Sequence, residues 1–454
     1  MDRDSLDFGN EKIGRLFRAM FFPTLVGMVF NSMLNICDGM FVGHGVGSDA
    51  LAAINIVAPL FMLCIGIGLM FGIGASVAGS IHLAENNVKA ARIIMTQAYI
   101  AGLVIFGAVI IICSIFTEEV LRTMGCSDRL LDLATDYLMW LLPGLVFFYL
   151  QCVGMMLIRL DGSPKYAMSV QIVAAVLNIF LDWLMVFPLD MGIKGASIAT
   201  SFSCVVGGVM VLVYFLFFSE RLKFYRLKWS HKSLMLSLRN VGYMTKIGSA
   251  TFISEIAMGI MMVTGNYMFL EMLGEDGVAA FSVGCYLFPI IFSISNAVAQ
   301  SSQPIISYNY GARDWNRVML TLVIAIKAAV VCGLLISGIM WVGAPALAAV
   351  FLPADVPAFG IAVHGLPILG TCALFFAINI CFIGYYQSIE KAARSVFYTL
   401  LRGVFFVVPL FIFLPGLMGE TGLWLAIPFS EALTCVLILL LYFLTRRTRT
   451  TTDY

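Results

Sequence analysis

The chain has 454 residues, of which 61% are hydrophobic and only 12% are charged. Soluble globular domains carry about 25% charged residues, so this composition excludes an ordinary soluble domain and indicates a protein embedded in a membrane. The net charge of +1 gives no reason to expect a nucleic-acid partner, and the first apolar run is too long for a cleavable signal peptide.

Twelve apolar segments follow one another along the chain, and a membrane-spanning helix needs about 20 such residues. Backbone polar groups cannot be left unpaired in lipid, so we predict helices rather than open strands. The predicted spans are 20–42, 51–80, 93–116, 134–158, 166–187, 196–218, 243–270, 279–310, 318–342, 361–386, 397–414 and 422–444.

Lysine and arginine are unevenly distributed between the two sides of these spans. If the N-terminus lies in the cytoplasm, 21 of the 27 fall in cytoplasmic segments, and three (Arg122, Arg129 and Lys194) fall on the opposite side. Cytoplasmic loops are rich in these residues, so we predict a multi-pass protein of the cytoplasmic membrane with both termini in the cytoplasm. Lys327 and Arg402 lie deeper within spans.

An internal repeat relates the two halves of the chain at an offset of 227 residues. VGSDALAA at 46–53 matches LGEDGVAA at 273–280, and FPLDMGIKGASIA at 187–199 matches LPGLMGETGLWLA at 414–426. Two separated matches at one offset, without a gap, are hard to obtain by chance. Each half therefore holds six of the predicted spans.

An even number of spans means that both halves begin on the same side, so their symmetry axis must run along the membrane normal. The predicted fold class is all-α and integral to the membrane, with twelve transmembrane helices in two six-helix lobes related by a pseudo-twofold axis. The predicted division is an N-lobe at 1–218, a cytoplasmic linker at 219–242, a C-lobe at 243–445 and a basic cytoplasmic tail at 446–454.

Polar side chains in three spans of the first half indicate a cation site. Asp38 lies in span one, Asn178 and Asp182 share one face of span five, and Thr200 lies one turn into span six. A carboxylate at membrane depth costs roughly 2.5–3.5 kcal/mol, so it needs a partner or water. Carboxylate, amide and hydroxyl oxygens suit a hard cation such as Na⁺. The same site with one carboxylate neutralised suits a proton.

The second half does not repeat this site. The residues 227 positions after Asp38, Asn178 and Asp182 are Gly265, Phe405 and Pro409. We interpret the asymmetry as specialisation of the first half for ion coupling. The remaining candidates for contacts to substrate, or for polar contacts within the C-lobe, are Glu255, Gln300, Asn379, Glu431, Asn35, Met258 and Met262.

Several segments carry a resemblance to a known family: DGMFVGHGVGSDALAA, RLDGSPKYAM at 159–168, NIFLDWLMVF, MGIKGASIAT, QPIISYNYGAR at 303–313, and Pro23 in span one. With these segments the sequence resembles the MATE (multidrug and toxin extrusion) transporters of the bacterial DinF/NorM type, in a MepA-like branch. The resemblance covers nearly the whole chain, and it depends on the segments together, since each alone is weak.

The resemblance implies secondary active efflux, in which organic, mostly cationic and lipophilic compounds leave the cell against inward Na⁺ or H⁺, without a cofactor. In similar transporters an ion site occupies the positions of Asp38, Asn178, Asp182 and Thr200, and a proline at the position of Pro23 bends span one. Some branches pair an acid in span seven with an aspartate in span ten. Here Glu255 is present but predicted span ten has no acid, which favours the site in the first lobe.

The expected partners are therefore small lipophilic cations and the lipid bilayer, and we expect a monomer. The sequence has no GxxxxGK[ST] motif, so no ATPase subunit is implied. A flippase for lipid-linked oligosaccharides is an alternative, but it would need a strongly basic cavity, and only Lys327 and Arg402 lie deep. A membrane enzyme would need paired acidic motifs or a His/Asp couple, which none of the four histidines offers.

Overall fold

The computed structural model describes residues 6–46, 48–228 and 230–452, and their side chains except at 35, 39, 43, 44, 48, 51 and 445–452. Helices account for most of this part of the chain. In the first half they are α1 (Ile13–Gly45), α2 (Ser48–Ala84), α3 (Val88–Ile115), α4 (Thr117–Thr123), α5 (Leu131–Leu160), α6 (Pro164–Val186) and α7 (Gly192–Val213).

The second half continues with seven helices of more varied length. They are α8 (His231–Gly311), α9 (Trp315–Phe351), α10 (Pro357–Gly370), α11 (Cys372–Ser388), α12 (Ala392–Leu400), α13 (Val407–Met418) and α14 (Glu420–Thr452). Short π-helical turns extend α7 over Tyr214–Phe218 and join α12 to α13 over Leu401–Phe405.

Many large apolar side chains on these helices are exposed. Val342 is 87% exposed, Leu417 84% and Phe217 76%. An apolar surface this extensive is unstable in water but well solvated by lipid. Exposed apolar side chains of this extent are expected of helices that lie in a bilayer.

Eleven helical stretches in the described ranges are long and apolar enough to cross a membrane. One of them is α8, whose 81 residues would extend for about 120 Å as one straight helix, against a hydrocarbon core of about 30 Å. Gly274 interrupts α8 with φ of 67° and ψ of −157°, so this helix contains two spans. The predicted all-α fold with twelve spans is thereby confirmed.

The repeat is visible in the backbone as well as in the sequence. Gly192, at the start of α7, and Gly419, just before α14, are 227 residues apart and have φ of 58° and 60°. Side chains with a Cβ atom rarely adopt this conformation, which glycine adopts freely. The second sequence match therefore marks the same turn in both halves.

By internal contacts the described chain divides into two compact units. The first contains the residues up to Glu255 and also Pro304–Val318, and the second contains Ile256–Gln303 and the residues from Met319 onward. In the first unit α5 packs against α2, α3 and α7. In the second, α14 packs against α10, α11 and α13. Each unit has its own core of buried apolar side chains.

The boundaries of these units differ from the predicted lobe boundaries at 218 and 243. The first part of α8 belongs to the first unit because its backbone lies directly against α2. A Cβ atom added at Gly248 would lie 1.9 Å from the carbonyl oxygen of Met70. The division into an N-lobe and a C-lobe stays a prediction.

Two predicted segments also differ in their secondary structure. The second half of the predicted linker 219–242 is helical, because α8 begins at His231. The Ser230 side chain caps this helix by accepting a hydrogen bond from the Ser233 N–H at 3.2 Å. The predicted tail 446–454 begins inside α14, and its side chains lie outside the described residues.

Candidate functional site

The first unit brings the four predicted cation ligands onto three neighbouring helices. α1 packs against α6, and α6 packs against α7. Asn178 and Asp182 lie one turn apart on α6 and are 1% and 0% exposed. Asp38 on α1 is near enough to Asp182 for their charges to interact. Thr200 Oγ1 on α7 is 3.4 Å from the side-chain amide of Asn178.

Asn178 connects the other members of the site. One orientation of its amide satisfies both of its polar atoms, with the nitrogen donating to Asp182 Oδ2 at 3.0 Å and the oxygen accepting from the backbone N–H of Thr200 at 3.3 Å. The Thr200 hydroxyl donates to the carbonyl oxygen of Ala196 at 3.1 Å, which leaves its lone pairs free to accept. These bonds fix the side chains on α6 and α7 relative to one another.

One oxygen of each carboxylate has no such partner. Asp38 Oδ1 and Asp182 Oδ1 are both buried, and neither accepts a hydrogen bond from any described residue. Two neighbouring carboxylates in an apolar surrounding cannot both stay charged and unpaired without a large energetic cost. A bound monovalent cation, or a proton on one of them, would remove that cost.

The donor set also indicates which cations fit. Two carboxylates, an amide and a hydroxyl supply only oxygen atoms, which hard cations such as Na⁺ prefer. In the part of the chain that the structure describes, no group of three or more His, Cys, Asp or Glu side chains is placed to hold a metal ion. The four predicted ligands themselves offer no imidazole nitrogen or thiolate sulfur, which zinc and other transition metals favour.

Two residues near the carboxylates were not predicted. Tyr137 on α5 is 6% exposed, and its hydroxyl interacts electrostatically with both Asp38 and Asp182. Cys37 precedes Asp38 on α1 and interacts with the same two charges. Nothing in the sequence singles out Tyr137, which is an aromatic residue in an apolar run, as most of the 16 tyrosines are.

The predicted hinge residue Pro23 lies inside α1. Proline has no N–H to donate, so the carbonyl oxygen of Ala19, four residues earlier, loses its helical partner. Helices bend most readily where such a bond is missing. The position of Pro23 is thus compatible with the predicted hinge, on the same helix as Asp38.

In the second unit, Glu431 and Asn379 belong to a buried polar network. Glu431 Oε1 pairs with Arg402 Nε at 2.9 Å, and Glu431 Oε2 accepts from Asn379 Nδ2 at 2.7 Å. The Arg402 guanidinium also lies 4.2 Å from the centre of the Phe376 ring. Both oxygens of Glu431 are therefore occupied, and the geometry favours a structural interaction for Glu431 over a contact with substrate.

Glu255 is a buried acid of a different kind. It is 4% exposed on α8, at the end of the first unit, and no described side chain forms an ion pair with it. Its neighbours include Gly66 and Cys152, which are both uncharged. No electrostatic interaction joins Glu255 to Asp38 or Asp182 in the described residues, and its role stays a prediction.

The other predicted contacts are scattered. Met258 and Met262 pack against the apolar core of the second unit, and Gln300 is buried on α8 in the same unit. Asn35 lies on α1, but its side chain is outside the described residues. Lys327 is exposed on α9.

The profile of the MatE family matches the chain twice, at residues 23–184 and 250–412. The chain belongs to the MatE family. The two matches begin 227 residues apart, which is the offset of the internal repeat. MatE proteins are transporters, so the prediction of a transporter rather than an enzyme is confirmed.

Curated relatives and solved structures match nearly the whole chain. The multidrug export protein MepA of Staphylococcus saprophyticus is 25% identical over 429 residues, which cover 93% of this chain and 92% of MepA. The MepA of Staphylococcus aureus is 22% identical, and the match covers 95% of this chain and 94% of that protein. An outward-facing multidrug resistance MATE transporter of the MOP superfamily superposes with a TM-score of 0.90 at 21% identity, over 99% of this chain and 98% of that one. The MatE fold is thus confirmed.

Proposed function

We propose that this MatE protein is a secondary active multidrug efflux transporter that exchanges lipophilic, mostly cationic compounds for inward Na⁺ or H⁺. Its curated relatives are named multidrug export proteins, which supports export of varied compounds. The observation that carries the proposal is the pair of buried carboxylate oxygens, Asp38 Oδ1 and Asp182 Oδ1, that have no partner among the described residues.

In this mechanism the cation occupies the site formed by Asp38, Asn178, Asp182 and Thr200. Its binding changes the packing of α1 against α6 and favours release of the exported compound. A ligand can shift such an equilibrium only by its different affinity for the two states. One charge that crosses a potential of 100 mV supplies about 2.3 kcal/mol, which is sufficient for export against a gradient.

The proposed setting is the cytoplasmic membrane, with a monomeric chain and both termini in the cytoplasm. The distribution of lysine and arginine supports this orientation. The flippase alternative loses support, because Arg402, one of its two deep basic residues, is neutralised by its pair with the buried Glu431.

Transport in proteoliposomes tests the proposal. We expect Asp38→Asn and Asp182→Asn to abolish uptake of a fluorescent lipophilic cation driven by imposed Na⁺ and pH gradients, applied separately. Asp132→Asn changes an exposed aspartate of α5 in the same way and should transport like the wild type. Full gradient-driven transport by either Asp38→Asn or Asp182→Asn would overturn the proposed coupling site.

A further inference from the structure

α1 and α6 contact each other in register at two levels. A Cβ atom added at Gly27 would lie 2.0 Å from Gln171 Oε1, so these two residues are in contact. Asp38 and Asp182 interact on the same two helices. In both pairs the residue numbers differ by 144, and the two levels are 11 residues apart on each helix. Eleven residues make about three turns and roughly 16 Å, so both levels lie on the same faces of the helices.

The level of Gly27 and Gln171 contains buried polar atoms that have no partner. Gln171 Oε1 and Thr24 Oγ1 are both buried, and no described residue forms a hydrogen bond with either. Thr24 is only 1% exposed and lies one turn before Gly27 on the same face of α1. A helical threonine hydroxyl commonly donates to the carbonyl oxygen four residues earlier, as Thr200 does to Ala196. Thr24 makes no such bond.

One further feature makes this level polar. The carbonyl oxygen of Ala19 has no helical donor, because Pro23 lacks an N–H. A carbonyl oxygen without a helical donor thus lies five residues before Thr24 on α1.

We propose that Thr24 and Gln171 form a second station for the coupling cation, which receives the cation and its water after they leave Asp38 and Asp182. This inference rests on the proposed function and on the proposed orientation, which places Thr24 nearer the cytoplasm than Asp38. Because Gly27 has no side chain, the Gln171 amide can lie directly against the α1 backbone, one turn from Thr24.

The chemistry of the station suits release rather than capture. Thr24 and Gln171 offer neutral oxygens, which stabilise a cation less than the two carboxylates do. An ion passes through a narrow path only if each site attracts it enough for entry and weakly enough for departure. Such a station lowers the barrier to cytoplasmic release and leaves capture from the outer side to the carboxylates.

Two measurements on the double variant Thr24→Val/Gln171→Leu test this inference. The first is the turnover of a fluorescent lipophilic cation in proteoliposomes under whichever gradient, Na⁺ or H⁺, drives the wild type. The second is the concentration of that driving cation that displaces the bound dye at equilibrium in detergent. We expect turnover to fall roughly tenfold to a hundredfold, because one or two contacts to a charge are lost. The concentration of the driving cation that displaces the dye should stay unchanged.

Matched variants separate the station from general damage. Thr24→Ser keeps the hydroxyl and should retain wild-type turnover. Thr245→Val removes a hydroxyl that already donates to Val241 at 2.9 Å, and it should also behave like the wild type. Dye binding at wild-type affinity shows that the double variant is folded. If the double variant does not bind dye, the single variants Thr24→Val and Gln171→Leu are tested, and loss of dye binding by both of them would count against the station.

The inference fails if the double variant turns over at the wild-type rate, or if Thr245→Val slows transport equally. It also fails if the displacing concentration rises as much as turnover falls, since that result would describe a capture site. Failure of the proposed function looks different, because Asp38→Asn would then retain coupled transport whatever Thr24 and Gln171 do.

Discussion

Thr200 contributes to the candidate cation site through its hydroxyl, whose lone pairs are free to accept. We expect Thr200→Val, which keeps the shape of the side chain, to raise the cation concentration for half-maximal transport about tenfold, since one contact to a charge is lost. Titration of transport rate against external Na⁺ and against pH measures this. Thr434→Val removes a buried hydroxyl that donates to Ser430 at 2.8 Å, and it should leave the cation dependence unchanged.

Glu431 is predicted to matter for folding and not for ion coupling. Removing it by Glu431→Ala leaves the Arg402 guanidinium buried without its partner, which costs about 3–5 kcal/mol. Thermal unfolding in detergent should show a lower melting temperature, while the protein that remains folded keeps the wild-type cation dependence.

The pair of Arg122 and Glu118 is the control for this prediction. It has the same charges at 2.8 Å, but both side chains are about half exposed, so Glu118→Ala should lower the melting temperature far less than Glu431→Ala does. An altered cation dependence in Glu431→Ala would show that Glu431 takes part in transport after all.

Some residues of the candidate site could be predicted from the sequence and others could not. Asp38, Asn178 and Asp182 stood out because charges and amides are rare in apolar spans. The partner of Glu431 could not be identified, because Arg402 is 29 residues away and only the packing of α14 against the π-helical turn joins them. Tyr137 was not predicted, because only its position beside Asp38 and Asp182 relates it to the site, and that position depends on the packing of α5.

Among the helices, the paired turns before α7 and α14 allow a direct comparison. We expect Gly192→Ala and Gly419→Ala each to lower the free energy of unfolding by about 1–2 kcal/mol, because a Cβ atom is strained at positive φ. Neither glycine has a close neighbour that would add a clash, so the two costs should be similar.

Gly107→Ala is the matched control for these two variants. Gly107 lies inside α3 with open space where its Cβ atom would be, so alanine should be neutral or stabilise the helix by about 1 kcal/mol. Melting temperatures in one detergent compare all three variants. Equal stability of Gly192→Ala and the wild type would show that the turn can relax.

Hydrogen bonds join the beginning of α9 to residues 6–12, which precede α1. Arg317 donates to the carbonyl oxygens of Phe8 at 3.0 Å and Glu11 at 2.7 Å, and Asn309 donates to Phe8 at 3.2 Å. Arg317→Ala should therefore free residues 6–12, and limited proteolysis should cut there faster than in the wild type. Arg18→Ala, which removes a bond within α1 only, should not change the cleavage rate.

Two family-like segments thus have a structural explanation that the sequence alone did not provide. QPIISYNYGAR contains Asn309, and RLDGSPKYAM contains Asp161, whose carboxylate accepts hydrogen bonds from Tyr214 and from the backbone N–H groups of Arg221 and Leu222. Both segments hold distant parts of the chain by contacts to backbone atoms. A backbone group that forms such a hydrogen bond can belong to any residue type, so the partner segment has no recognisable sequence pattern. The spans could therefore be predicted, but these contacts between distant segments could not.

For the whole molecule, the repeat and the positive charges together determine the predicted orientation. Twelve spans place both termini on one side, and 21 of the 27 lysines and arginines then lie on that side. Each such residue near an anionic inner surface is worth about 1 kcal/mol, so the reverse orientation would be strongly disfavoured. Residues 124–130, between α4 and α5, should then face outward, and residues 224–228 should face the cytoplasm.

An epitope inserted in either segment tests this orientation. In intact spheroplasts an antibody should label the insertion at 124–130, and it should label the insertion at 224–228 only after permeabilisation. The reverse pattern would contradict the orientation and would place Thr24 and Gln171 nearer the outer side than Asp38. The second station would then lie on the path by which the cation arrives, and its loss would weaken capture instead of slowing release.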